Sequence, residues 1–159
     1  MGLCLSISIS ESQNLPKDID VRDLPEFIPP IDSGRVVKVY DGDTITVASK
    51  IPNLKNSKIY KFSVRLNGID CPEIKGSSDE EKKIARKARD ALSNKILNHY
   101  VFLKNIRTEK YGRLLCDVYL GNQNINDWMI NQRYAVQYNG GTKNIPSSWE
   151  NYHLHNIIN

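Results

Sequence analysis

The pattern that most limits how this chain can fold is a set of five short β-rich runs with one long amphipathic helix between the third and the fourth. The first two runs, Val36-Val37-Lys38-Val39-Tyr40 and Ile45-Thr46-Val47-Ala48, flank Asp41-Gly42-Asp43, a composition that favours a tight bend between paired strands. The third, Ile59 to Leu66, alternates Phe62, Val64 and Leu66 with Lys61, Ser63 and Arg65. Successive side chains of a strand point to opposite faces, so Arg65 is turned away from the apolar set.

Ser77 and Glu80 fit a capping box, after which Ile84, Ala88, Ala91, Leu92 and Ile96 recur at helical spacing, with Lys and Arg on the other face. That spacing predicts a helix of about five turns. Tyr100 to Ile106 and Leu114 to Leu120 read as the last two strands, followed by a helix around Asn126 to Gln132 and a weaker one near Ser148 to Ile157. The expected fold is α+β, mainly β: a five-stranded Greek-key barrel of the OB type with two to three α-helices.

A length of 159 residues suits one domain whose core needs neither disulfides nor a structural metal. The three cysteines, Cys4, Cys71 and Cys116, form no CxxC pair and are odd in number. They argue against a zinc cage and a disulfide framework, and predict a reducing, intracellular setting. Net charge is +4 but uneven: residues 1–34 hold two basic and six acidic residues, leaving 20 basic and 12 acidic from Arg35 onward. A basic domain of residues 35–159 behind an acidic leader of residues 1–34 points to a polyanionic partner such as nucleic acid. Pro16, Pro25, Pro29 and Pro30 and the lack of a sustained period make residues 7–34 read as a tether or a strap lying on the domain.

No run approaches membrane-spanning length, and the N-terminus lacks the basic start and small-residue cleavage site of a secretory signal. Met1-Gly2-Leu3-Cys4-Leu5-Ser6 instead fits the pattern for N-myristoylation at Gly2, with Cys4 beside it as a palmitoylation candidate. Two acyl chains anchor stably where one binds marginally, so the expectation is attachment to the cytoplasmic face of a membrane.

Three separated segments collect charge: Asp41-Gly42-Asp43-Thr44, then Arg65 with Asp70-Cys71-Pro72-Glu73, then Lys110-Tyr111-Gly112-Arg113. Asp43 and Asp70 each sit beside a turn or strand end, where a side chain can reach a shared pocket, and two carboxylates completed by carbonyl and water oxygens suit calcium. Glu73 follows Asp70 across the stiff ring of Pro72, so one acid can bind metal while the other handles the attacking water. Arg65 and Arg113 carry fixed guanidinium forks that match the charge building on a phosphate under attack. Lys110 and Tyr111 place a cation and an aromatic in one turn, able to contact a backbone phosphate and stack on a base. Each string alone is ordinary, since Asp-Gly-Asp is a common hairpin turn and most arginines are surface ion-pair partners. Together they predict phosphodiester chemistry.

The residues from about Arg35 to Tyr138, in the order DGDT, VRLNGIDCPE and EKYGRLL, resemble the staphylococcal (micrococcal) nuclease or thermonuclease family. The resemblance implies an OB-fold with a calcium-dependent nuclease site acting on DNA and RNA, with little sequence preference and 3'-phosphate products. It further implies that Asp43 and Asp70 are calcium carboxylates, with the Cys71 backbone carbonyl in the metal shell. Arg65 and Arg113 look like the family's catalytic arginines, Glu73 like its general base, Asp41 and Thr44 like supporting residues, and Lys110 and Tyr111 like nucleotide-phosphate ligands. Cys71 stands where the prototype has threonine, which is tolerable if the metal meets only a backbone carbonyl. The terminal helix is shorter than the family's, and the Pro-rich strap is the candidate to compensate for its packing.

The expected activity is therefore that of a monomeric, calcium-dependent endonuclease. Two rivals are a catalytically silent nucleic-acid-binding OB module and a membrane-tethered adaptor; the first would lack Glu73 or an arginine, and the second leaves the whole charged set unexplained. His153 and His155 are two apart without a third ligand nearby, which predicts surface or core-edge placement, and Trp128 and Trp149 read as packing residues.

Overall fold

A computed structural model describes residues 15–109, 111–142 and 144–158. Strands β1 (Ser33–Val39) and β2 (Thr44–Lys50) form the expected hairpin, antiparallel with Val36 opposite Val47 and a bulge between Val36 and Lys38. Strand β3 (Ile59–Leu66) pairs antiparallel with β2, placing Thr44 opposite Arg65 and Ile45 opposite Val64. The two-residue β4 (Ile69–Asp70) follows, then helix α1 (Asp79–Ile96). Strand β5 (Tyr100–Thr108) pairs with β1 and with β6 (Leu114–Leu120).

Closure comes from β6, which runs parallel to β3 with Val64 opposite Leu114 and Arg65 opposite Leu115. The order β3-β2-β1-β5-β6 thus returns on itself as the predicted five-stranded barrel. Short β7 (Gln123–Asn124) leads into α2 (Ile125–Asn131), β8 (Val136–Gln137) pairs with β4, and α3 (Trp149–His155) packs on α1.

The inward residues obey the period-two pattern: Val36, Ile45, Val47, Val64, Leu66, Val101 and Val118 are fully buried. Helix α1 closes one end of the barrel with Ala88, Leu92 and Ile96. Full burial of a branched aliphatic side chain contributes about 1.5–3 kcal/mol, so this face holds the helix in place. Asn126 is the polar fastener of the core: buried, it accepts the Val118 N–H at 3.0 Å and donates to the carbonyls of Asn67 at 2.8 Å and Cys116 at 3.2 Å. Nothing in the local sequence marks that role.

The helix cap lies one residue later than expected. Ser78, not Ser77, caps α1, its Oγ accepting the Glu81 N–H at 3.0 Å. Two overlapping Ser-x-x-Glu strings compete here, and Ser78-x-x-Glu81 prevails because the Glu81 carboxylate also binds the backbone N–H of Ser77 at 3.1 Å. Glu80 instead accepts from Ser148 Oγ and from the Glu150 N–H, both at 2.8 Å, which ties the start of α3 to α1. Ala91, expected on the buried face, is only half-buried, and Ala85 takes the buried position.

A small second cluster of Ile84, Val136, Trp149 and Tyr152 seats α3. Trp149 packs in it, Trp128 lies partly buried against the main core, His153 stacks on Tyr134 at 4.6 Å between ring centroids, and His155 is exposed. Among residues 15–34, Ile31 enters the core, Leu15, Val21, Leu24 and Phe27 are exposed, and Thr108 Oγ1 on β5 donates to the Glu26 carboxylate. The strap's four prolines and alternating acids leave no continuous apolar face to bury.

Candidate active site

Strand pairing brings the three charged segments together. Thr44 lies opposite Arg65 on one side of β3 and Leu115 lies opposite it on the other, so the Asp41–Thr44 turn and the 109–113 hairpin loop flank one arginine. Asp41, Asp43, Arg65, Cys71, Pro72, Glu73 and Arg113 line one cavity of 140 Å³.

Arg65 is the hub. Its Nη1 meets Asp43 Oδ2 at 2.8 Å, its Nη2 meets Asp70 Oδ1 at 3.1 Å, and its Nε lies 3.9 Å from Glu109 Oε1. Burial works against the charge of Arg65, but the three carboxylates outweigh it and hold its pKa above the ordinary arginine value. Glu109 also accepts from Arg113 Nε at 2.7 Å, so one carboxylate spaces the two guanidiniums. The hairpin fixes that carboxylate, since the Glu109 N–H donates to the Arg113 carbonyl at 2.8 Å and the Gly112 N–H to the Glu109 carbonyl at 2.9 Å.

Asp43 is buried and carries an oxygen-rich setting: Thr44 Oγ1 donates to its Oδ1 at 2.8 Å, and its own N–H reaches Asp41 Oδ1 at 3.4 Å. Burial pushes its carboxyl up to about 7, with Arg65 opposing and Asp41 adding to the rise. Asp70 is also buried, at the end of β4, where β8 holds the backbone. Asp43, Asp70 and Arg65 therefore form one buried ion cluster.

Gly42 lets the Asp41–Thr44 turn sit directly on the next segment, for a Cβ there would lie 2.9 Å from Cys71 Sγ and 3.1 Å from Ala88 Cβ. The Cys71 thiol is thus a packing group. Burial and the neighbouring acids Asp43, Asp41 and Asp70 raise its pKa well above normal, which keeps it neutral. Glu73 is exposed at the cavity wall, and its backbone N–H donates to Glu81 Oε1 at 3.1 Å. Gly76 makes this possible, because a side chain there would overlap the Glu81 carboxylate.

One expected position stands apart. Tyr111 is 85% exposed at the tip of the hairpin, with φ +95°, and is not in the cavity wall. Lys110, Gly2 and Cys4 lie outside the described residues. The residue that reading the sequence missed is Glu109. Its spacing to Arg113 was legible, but its proximity to Arg65 depends on the β3–β6 pairing.

The donor set fits a hard divalent cation. Asp43, Asp70 and Glu109 pair with the two guanidiniums, Asp41 and Glu73 share the cavity wall with them, and burial disfavours the charged form of Asp43, a cost that a cation beside it would offset. Among the described residues no group of three or more His, Cys, Asp or Glu side chains is arranged as a metal cage. A cation held here would meet two carboxylates, with backbone and water oxygens to complete its shell.

A second cleft, of 390 Å³, shares Arg65 with this cavity and is lined on its outer side by Arg107, Tyr138, Asn139 and Gly140. Arg107 Nη2 donates to Asn67 Oδ1 at 3.0 Å, and Asn67 Nδ2 donates to Asp117 Oδ1 at 3.0 Å, which holds the arginine at the cleft.

Comparison with known proteins bears on the same segments. An "Uncharacterized endonuclease" of Haemophilus influenzae is 36% identical over 104 residues, covering 65% of this chain and 51% of its own. "Endonuclease Htp3" of Saprolegnia parasitica is 29% identical over 117 residues, covering 66% of this chain and 55% of its own. "Probable endonuclease LCL3" of Kluyveromyces lactis is 27% identical over 157 residues, covering 96% of this chain and 58% of its own. The chain thus spans little more than half the length of these relatives. Residues 63–153, which include Arg65, Asp70, Glu73, Glu109 and Arg113, match the family described as Staphylococcal nuclease homologue, and with more than half of its length so matched this chain belongs to that family.

Proposed function

We propose that this protein is a calcium-dependent endonuclease that hydrolyses DNA and RNA with little sequence preference. The observation that carries this is the convergence of Arg65 and Arg113 on Glu109, beside a cavity walled by Asp43 and Glu73. Endonuclease names among the relatives support the same reading.

Asp43 and Asp70 would hold calcium, with the Cys71 carbonyl completing the protein share and Asp41 and Thr44 orienting Asp43. Bound there, the ion supplies charge to a phosphate oxygen and positions for water. The chain's own residues do the rest. Glu73, on a loop fixed by Glu81, takes the proton of the attacking water. Arg113 and Arg65 meet the non-bridging phosphate oxygens, where negative charge grows as the nucleophile adds. Arg65, paired with Asp43 and Asp70, would share those carboxylates with a cation held there and turn its guanidinium to the phosphate oxygens. The cleft of Arg107 and Tyr138 takes a neighbouring nucleotide, and Lys110 and Tyr111 contact its phosphate. Rupture of the bond to the 5'-oxygen leaves a 3'-phosphate.

End-group analysis of a cleaved synthetic oligonucleotide tests this. Fragments whose 3' ends accept a polymerase-added nucleotide only after phosphatase treatment are expected; fragments with free 3'-hydroxyls would overturn the assignment of the broken bond.

The reading extends to a monomer held at a membrane by acylated Gly2 and Cys4. It rests on the sequence of the first six residues. Among the described residues no helix is long and apolar enough to cross a membrane. Mass measurement of the N-terminal peptide from eukaryotic cells decides it, an unmodified peptide ruling the anchor out, while sedimentation decides the assembly.

A further inference from the structure

The central cavity has a second neighbour, which shares no lining residue with the Arg107 cleft. A cleft of 290 Å³ is lined by Tyr40, Asp41, Glu73, Ile74, Lys75 and Arg89. Asp41 and Glu73 belong to its wall and to that of the central cavity, so the two are adjacent. Arg65 in turn is shared between the central cavity and the cleft of Arg107 and Tyr138. Three recesses therefore lie in a row, with the arginine and acid cluster in the middle.

The outer cleft has the chemistry of a nucleotide site. Tyr40 is 55% exposed, yet its backbone is fixed, because its N–H donates to the Thr44 carbonyl at 2.8 Å. Lys38 Nζ lies 5.4 Å from the centre of the Tyr40 ring, and the β1 bulge between Val36 and Lys38 falls just before this pair. Arg89 is oriented from α1 by Asp90, whose Oδ1 accepts from its Nε at 2.9 Å and its Nη2 at 2.7 Å. The two acids sit on the wall shared with the central cavity; of the cleft's own cations, Arg89 is paired with Asp90 and Lys75 is exposed. A fixed, exposed aromatic flanked by cations is a stacking platform beside a phosphate contact.

We propose that this cleft is a second nucleotide subsite, which takes the nucleotide on the opposite side of the scissile phosphate from the Arg107–Tyr138 cleft. Its base stacks on Tyr40 and its phosphate meets Lys75 and Arg89. The proposal rests on the nuclease reading of the central cavity and adds to it a strand held on both sides of the cut, the arrangement that internal cleavage requires.

The test is binding of a fluorescein-labelled single-stranded oligonucleotide to the full chain in chelator, followed by anisotropy, with cleavage of the same oligonucleotide measured separately in calcium. Loss of one base–aromatic stack predicts about tenfold weaker binding for Tyr40→Ala. Tyr40→Phe keeps the ring face and should bind as the unmutated protein does. Lys75→Ala should weaken binding and lower the slope of log affinity against log salt by about one. Tyr60→Ala removes another exposed tyrosine, at the far end of β3 from Arg65, and should leave binding unaltered. If the unmutated protein cleaves the oligonucleotide but Tyr40→Ala binds it as tightly, or Tyr60→Ala loses as much, the subsite is overturned and the nuclease reading stands. An unmutated protein that neither binds nor cleaves overturns both.

Discussion

Glu81 Oε1 accepts the backbone N–H of Glu73 at 3.1 Å, so the first turn of α1 holds the loop that carries the proposed general base. The other carboxylate oxygen takes the Ser77 N–H at 3.1 Å. Glu81→Ala removes both contacts at a helix start, and a loss of about 1 kcal/mol in urea unfolding is expected. Turnover should fall further than nucleic-acid affinity, because the acid moves while the arginines stay. Unaltered turnover would show that something other than Glu81 positions Glu73.

Glu109 accepts from Arg113 at 2.7 Å and lies 3.9 Å from Arg65. Glu109→Gln keeps the shape but removes the charge that spaces the two guanidiniums. A displacement on the order of 1 Å in a reacting site costs about 100-fold in rate, and a loss of about 10- to 100-fold in kcat with KM little affected is the expected result. A rise in KM alone would make Glu109 a substrate-binding residue instead.

Glu73→Gln and Arg113→Ala separate two parts of the chemistry. Loss of the base should lower kcat by about 10² to 10⁴ while oligonucleotide binding survives. Loss of the arginine should lower kcat by about 10² to 10³, since its target carries most charge in the transition state. Steady-state kinetics on both variants checks this, with circular dichroism to confirm folding. Arg113→Ala at the unmutated rate would remove it from the mechanism.

The sequence shows the site better than it shows how the site is held. Strands β3 and β6 and the five turns of α1 follow directly from local period, because each buries one face. The two-residue strands β4, β7 and β8 do not, for their pairing depends on partners remote in the chain. The charged set Arg65, Asp70, Glu73 and Arg113 was legible because phosphodiester chemistry restricts the residue types. Glu109, Asn126 and the Tyr40 cleft were not, because a bridging carboxylate, a buried amide and a groove exist only once distant strands meet.

Gly42 gives a prediction about packing. A methyl group there would lie 2.9 Å from Cys71 Sγ and 3.1 Å from Ala88 Cβ, so Gly42→Ala should destabilise by about 1–3 kcal/mol through overpacking and should displace Asp41 and Asp43. Cys71→Ala makes room, and the double variant should recover part of both stability and turnover. Independent, additive losses in thermal unfolding would show that the turn and Cys71 are not in contact.

The central claim is tested most directly by hydrolysis of plasmid DNA and of RNA by the purified protein in calcium, in magnesium and in chelator. The account predicts cutting of both polymers in calcium, weak cutting in magnesium, which prefers a tighter octahedral shell, and none in chelator. Full cutting in chelator would contradict the metal role of Asp43 and Asp70, and no cutting of either polymer in calcium would contradict the nuclease reading itself.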